Sequence, residues 1–150
     1  MLNDVYNRRI LELAGTIPRI GRLESPDASA TAHSKLCGST VTIDLKMDGD
    51  TVTDFAHDVK ACALGQASAA LMGAHAIGAS SAELAEARDA LADYLAGRRD
   101  DPGGWPGLDI LAAARPFAAR HASILLAFQA AAAAARDAAA GSAGAEQAAG

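Results

Sequence analysis

Two cysteines and one histidine are the side chains of this sequence best suited to bind a metal or carry sulfur. The chain has 150 residues, two cysteines and four histidines. Cys37 lies in Lys35-Leu36-Cys37-Gly38-Ser39-Thr40, where Gly38 lets the backbone turn tightly beside a ligand. Cys62 falls where the strand-like Val59-Lys60 gives way to an Ala/Leu/Gln-rich stretch, so it is expected at a helix N-terminus. Unpaired backbone N–H groups and the helix dipole favour a thiolate there, the form that binds metal or attacks sulfur. His121, in Ala119-Arg120-His121-Ala122-Ser123-Ile124-Leu125, would add a neutral imidazole nitrogen. Two thiolates, one imidazole and an oxygen or open position suit zinc or an iron–sulfur cluster. Ser39 and His33 are further candidate ligands. An unactivated hydroxyl binds iron or zinc weakly, so Ser39 reads first as a hydrogen-bonding neighbour. His57 and His75 read as strand and helix surface residues. Neither cysteine belongs to a C-x-x-C pair, so spacing alone leaves inert burial of both thiols open.

The elements that must position these residues follow from periodicity. Val41, Ile43, Leu45 and Met47 alternate with Thr42, Asp44 and Lys46, the pattern of a half-buried strand over 40–47. Asp48-Gly49-Asp50 signals a hairpin turn, and 51–60 forms the return strand. If the two strands pair, both thiols return to one end of the sheet. Asp44, Lys46, Asp54 and Asp58 are expected on solvated faces. A helix is expected over 3–14, capped by Asn3 or Asp4, with Val5, Tyr6, Ile10, Leu11 and Leu13 on its apolar face. Ile17-Pro18-Arg19-Ile20-Gly21 reads as extended, and the Ser/Ala/Asp/Thr/Pro stretch 24–34 as a mobile loop. Cys62 to Ile77 reads as a helix ended by Gly78. Ser80 with Glu83 makes a capping box for another helix over 81–96. Residues 98–107 form a Pro/Gly loop around Trp105, which is expected to pack. A short helix follows at 108–114. Phe117, His121, Ile124, Leu125 and Phe128 then fall at helical spacing. The expected fold is α+β, a small antiparallel sheet (hairpin plus short edge strand) with helices packed on one face. The domain is expected over 1–140, with 141–150 as a disordered Ala/Gly-rich tail.

Composition narrows the function classes. The net charge of -5 argues against a nucleic-acid binder, which needs a basic patch. No apolar run reaches the roughly 20 residues of a membrane span. No basic, apolar leader is visible at the N-terminus, so reduced thiols in the cytoplasm are expected. Neither a Ser/His/Asp arrangement nor a glycine-rich phosphate loop is evident, which argues against an enzyme.

Several ordered motifs resemble the U-type iron–sulfur cluster scaffold family (IscU, SufU and the N-terminal part of NifU). Tyr6 with Ile17-Pro18-Arg19-Ile20-Gly21 is similar to its tyrosine helix and N-P-R-x-x-G segment. Cys37-Gly38 is similar to the start of its C-G-D motif, Asp48-Gly49 to its hairpin turn, and Cys62 with Ala67-Ser68 to its second cysteine and helix start. His121-Ala122-Ser123-Ile124-Leu125 is similar to its H-C-S-I-L pattern, with the third cysteine replaced by Ala122. The aspartate of C-G-D falls on Ser39. The resemblance implies a SufE/NifU-like fold and a scaffold that binds iron and sulfide, or a transient cluster, at Cys37, Cys62 and His121. Ser39 or His33 is the auxiliary candidate. A 2Fe–2S cluster is the implied cargo, with zinc as the alternative. A cysteine desulfurase and acceptor apo-proteins are the implied partners, with the chain a monomer or a cluster-bridged homodimer. Two other readings stay open: a zinc-binding persulfide relay, and a non-catalytic divergent relative that serves as a binding module.

Overall fold

In the computed structural model, residues 7–35 and 38–149 are described, with side chains as far as residue 140. The hairpin forms as its alternation requires. Strands β1 (Ala28–His33), β2 (Thr40–Asp48) and β3 (Thr51–Lys60) make an antiparallel sheet in the order β1-β2-β3. The β2–β3 register pairs Val41 with Val59, Ile43 with His57 and Leu45 with Phe55, so these six share one face. Val41, Ile43 and Leu45 have no exposed surface.

Helix α1 (Arg8–Gly15) packs on α2 (Ala63–His75), and α2 and α3 (Ser81–Leu95) both pack on the long α4 (His121–Ala149), which also lies across β1 and β2. Ala130, Ala131, Ala134 and Ala135 of α4 are buried, and such small side chains let neighbouring elements approach closely. Fully buried Phe128, Ile124, Leu64 and Met72 supply the bulk, each contributing roughly 1.5–3 kcal/mol. Ser80 caps α3 by accepting from the Glu83 N–H at 3.0 Å, as the capping box requires. Two 3-10 turns, Leu108–Ala114 and Ala118–Arg120, carry the chain into α4.

Four expectations are corrected or fall outside the described residues. The 24–34 stretch holds strand β1 rather than a mobile loop. Its period of two is carried by Ala28, Ala30 and Ala32 against Ser29, Thr31 and His33, a signal that composition hides. Asp44 is not on a solvated face: its side chain is fully buried. The Arg22 guanidinium grips both its oxygens (2.6 and 2.9 Å), and the Leu23 N–H and Ser29 hydroxyl donate to it. This hydrogen bonding, the Arg22 contacts foremost, holds the carboxyl below its ordinary value against the opposing cost of burial. His57 is likewise not a surface residue. It has no exposed area, and lies on the core face beside Phe55, edge-on with ring centres 4.9 Å apart. Finally, α1 is described from Arg8, and Asn7 caps it by accepting from the Ile10 N–H; Asn3, Asp4, Val5 and Tyr6 lie outside the described residues.

The segment before β1 is tied to His57. Its Nε2–H donates to the Pro18 carbonyl at 2.8 Å, its backbone N–H donates to the Arg19 carbonyl, and its own carbonyl accepts from Gly21. Gly73 of α2 makes room for this junction: a Cβ there would lie 2.9 Å from the Pro18 oxygen and 3.2 Å from the imidazole. The other ring nitrogen, Nδ1, is buried without a hydrogen-bond partner. Burial therefore pushes the imidazole's pKa below its ordinary value, with the Pro18 contact opposing.

Candidate metal centre

Three chain segments meet at one end of the sheet. Cys62 is the N-cap of α2, with extended backbone angles, and its thiol makes no capping bond. Instead Sγ lies 3.2 Å from the hydroxyl of Ser123, in the first turn of α4. The Ser123 hydroxyl is in turn 3.4 Å from that of Ser39, which precedes β2. Cys62 is half-buried, whereas Ser39 and Ser123 are 4% and 3% exposed. A half-buried cysteine thus rests on the buried Ser123 hydroxyl, which in turn meets the buried Ser39.

Small residues on α2 create this junction. A Cβ on Gly65 would lie 2.7 Å from the Ser123 oxygen and 2.7 Å from the Ala61 Cβ, closer than real contacts allow. One turn on, the buried Ser68 hydroxyl donates to the Ile124 carbonyl at 2.6 Å. Glycine and serine spaced three apart therefore let α4 press against α2, which sets Ser123 beside Cys62.

His121 opens α4. Its Nε2 lies 3.0 Å from both the Ala114 and Arg115 carbonyls. Carbonyls only accept, so Nε2 carries the proton and Nδ1 is the nitrogen with a lone pair for a ligand. A backbone bond that fixes the tautomer is a common support for a ligating imidazole. His121 and Ser123 share one helical turn.

Cys37 lies outside the described residues. On either side of it, Gly38 N–H donates to the Ser34 carbonyl and Ser34 N–H to the Ser39 carbonyl, both at 2.9 Å. The structure thus brings together Cys62, Ser39 and Ser123, of which Ser123 was not singled out in the sequence. Its place in a turn entered by His121 was the available signal. His33 pairs across the sheet with Thr40, Nδ1 2.9 Å from the threonine hydroxyl, on an exposed face. Among the described residues, no three His, Cys, Asp or Glu side chains gather closely enough to hold a metal ion. Trp105 packs far from the thiol, edge-on to Phe128, with its N–H donating to the Leu71 carbonyl. No helix among the described residues is long and apolar enough to cross a membrane.

The chain matches the family model described as the NifU-like N-terminal domain over residues 5–102. No curated protein matches it. Among solved structures it resembles the N-terminal part of a nitrogen-fixing NifU-like protein from Brucella abortus. That match has a TM-score of 0.87 and 52% sequence identity, over 91% of this chain and 95% of that one. It also resembles a protein described as a candidate iron–sulfur cluster assembly scaffold for the SUF system from the thermophile Fervidobacterium islandicum AW-1. There the TM-score is 0.81 at 21% identity, over 87% of this chain and 96% of that one, which speaks to the fold alone. A hypothetical protein matches similarly, with a TM-score of 0.77 at 22% identity over 85% of this chain and 94% of that one.

Proposed function

This chain belongs to the NifU-like N-terminal domain family, and on that premise we propose that it is an iron–sulfur cluster assembly scaffold. The observation that carries the reading is the thiol of Cys62, set at a helix N-terminus and resting on the Ser123 hydroxyl, itself in contact with Ser39, where α2, α4 and β2 meet. The scaffold role suggested for the Fervidobacterium protein is consistent with it.

In this reading iron and sulfide are cargo. Cys37 and Cys62 supply thiolates and His121 supplies Nδ1, with its proton held on Nε2 by the Ala114 and Arg115 carbonyls. Soft thiolates and a borderline imidazole suit iron and zinc alike, so the donor set fits either. Ser123, whose hydroxyl lies 3.2 Å from the Cys62 sulfur, and Ser39, which meets Ser123 at 3.4 Å, form a hydroxyl pair behind the thiol rather than ligating metal. His33 is an auxiliary ligand candidate. Ala122, half-buried in the first turn of α4, leaves that flank without a donor. A site with three protein ligands holds its cargo incompletely, which suits release to an acceptor. Sulfur comes from a cysteine desulfurase, and the cluster, of the 2Fe–2S type, leaves to apo-proteins in a reducing cytoplasm. The chain carries rather than catalyses, as a monomer or a homodimer bridged by a cluster. The working unit is residues 1–140, with 141–150 as a tail outside it.

Anaerobic reconstitution with ferrous iron and sulfide tests this, with variants Cys62→Ser and His121→Ala beside the parent. The reading requires visible charge-transfer absorption in the parent that is abolished by C62S and weakened by H121A. Equal absorption in all three would refute the ligand assignment. One zinc per chain and no chromophore would select the persulfide-relay reading instead.

A further inference from the structure

A second cleft opens at the opposite end of α2 from the thiol, about 20 Å away along that 13-residue helix. Its volume is about 590 Å³, the size of a site for a side chain or two rather than a surface dimple. The end of α2, the first turns of α3 and the loop before the 3-10 turns form its walls. Trp105 supplies a flat indole wall held rigid by its bond to the Leu71 carbonyl. Beside it stands Ile77, 40% exposed and one of few large apolar side chains left open to water. Ile77, with the rim of the largely buried Trp105 (8% exposed), thus offers apolar surface at a concave place that none of the described residues covers.

The charge of the cleft is one-sided. Glu83 and Glu86 project from adjacent turns of α3, both exposed, and neither carboxylate has a hydrogen bond or ion pair among the described residues. Like charges three apart on a helix repel. Glu83 is compensated by the helix N-terminus, but Glu86, one turn further on, is not. Arg99, the cation of the lining, is already neutralised by Asp101 at 2.9 Å. His75 stands edge-on to Trp105, 6.4 Å between ring centres, and closes the third side. The chain therefore holds one uncompensated carboxylate, Glu86, beside an apolar slot, with Glu83 at the helix N-terminus one turn before it.

We propose that this cleft docks a segment of a partner protein that presents an arginine or lysine next to an aliphatic side chain. The cation meets Glu83 and Glu86 while the aliphatic group packs on Trp105 and Ile77. The docking does not depend on the thiol site and leaves that end of the fold open.

Trp105 is the only tryptophan in the chain, so its emission reports the cleft directly. The experiment titrates the full chain with acetyl-Leu-Arg-Leu-Arg amide, reading Trp105 emission and backbone amide chemical shifts. Controls are the Glu-for-Arg peptide, arginine amide alone and the double variant Glu83→Gln/Glu86→Gln. The expected result is a saturable change confined to residues 75–79, 83–90 and 99–106 with the arginine peptide. It weakens about fivefold in the double variant, as two exposed charge pairs imply, and weakens again at high salt. The Glu peptide leaves the emission unchanged. No saturable change, an equal response to both peptides, or an undiminished response in the double variant would overturn the proposal. Binding of arginine amide as tight as that of the peptide would overturn the partner-segment assignment in favour of a free cation.

Discussion

Replacing His57 with phenylalanine separates two roles of one buried ring. In the folded protein the imidazole is neutral, its Nε2–H spent on the Pro18 carbonyl and its Nδ1 facing no donor. Protonation would place a cation with an unpaired N–H among apolar atoms, so burial lowers its pKa from the ordinary 6.5. In the unfolded chain the ring titrates at that ordinary value. As pH falls below about 6.5, the unfolded state takes up the proton first and stability declines. The decline is at most about 1.4 kcal/mol per pH unit and stops once the lowered native value is passed. Above pH 6.5 the contribution is complete and flat. Phenylalanine keeps the ring and its edge contact with Phe55 but cannot titrate. It strips the Pro18 oxygen of its donor, which costs about 1 kcal/mol at neutral pH. Urea unfolding followed by Trp105 emission, from about pH 8 to pH 5, gives both stabilities. The expected result is a variant weaker at neutral pH whose deficit shrinks or reverses toward pH 5. The Asp44 carboxyl, held below its ordinary range, titrates under this window and does not mask the effect. Parallel curves for the two proteins, or a parent with flat stability across the range, would refute the reasoning.

Three further outcomes are expected. Gly65→Ala drives a methyl group into Ser123 and Ala61. It should cost about 1–3 kcal/mol in urea unfolding and lower the iron and sulfide retained after reconstitution. Arg22→Met leaves the buried Asp44 carboxylate with only the Ser29 and Leu23 donors. The loss should be about 2 kcal/mol at pH 7. Because the lowered Asp44 pKa makes its stabilisation vanish as pH falls below about 3.8, the acid limb of the unfolding profile should flatten in this variant. Trp105→Phe removes the N–H that satisfies the Leu71 carbonyl, and should cost about 1–2 kcal/mol by thermal or urea unfolding while leaving cluster assembly intact.

Strand β2, the hairpin turn, the Ser80 cap and the placing of Cys62 at a helix start were all legible, because each rests on a local signal of a few residues. Asp44 and His57 were not. Both sit within polar-looking strand positions, and what buries them arrives from far away in sequence: Arg22 and Leu23 over Asp44, Pro18 and Gly73 around His57. Yet His57 lies between Phe55 and Val59 at a spacing of two, which already assigned it to the core face. Strand β1 was hidden because alanine, its half-buried residue, carries almost no hydropathy contrast against serine and threonine. At the site, the resemblance to the scaffold pattern pointed to Cys62 and His121. The Ser123 hydroxyl beside the thiol depends on how closely α2 and α4 pack, a tertiary property that Gly65 and Ser68 permit without announcing it.

The most direct test of the scaffold reading is cluster transfer. The chain is reconstituted anaerobically, its iron and acid-labile sulfide are counted, and it is mixed with an apo-ferredoxin while the acceptor's spectrum is followed. The account predicts iron and sulfide in equal amounts and a spectrum that moves to the acceptor, with both lost in Cys62→Ser. Iron and sulfide absent from the parent after reconstitution, or a C62S variant that assembles and transfers normally, would contradict it.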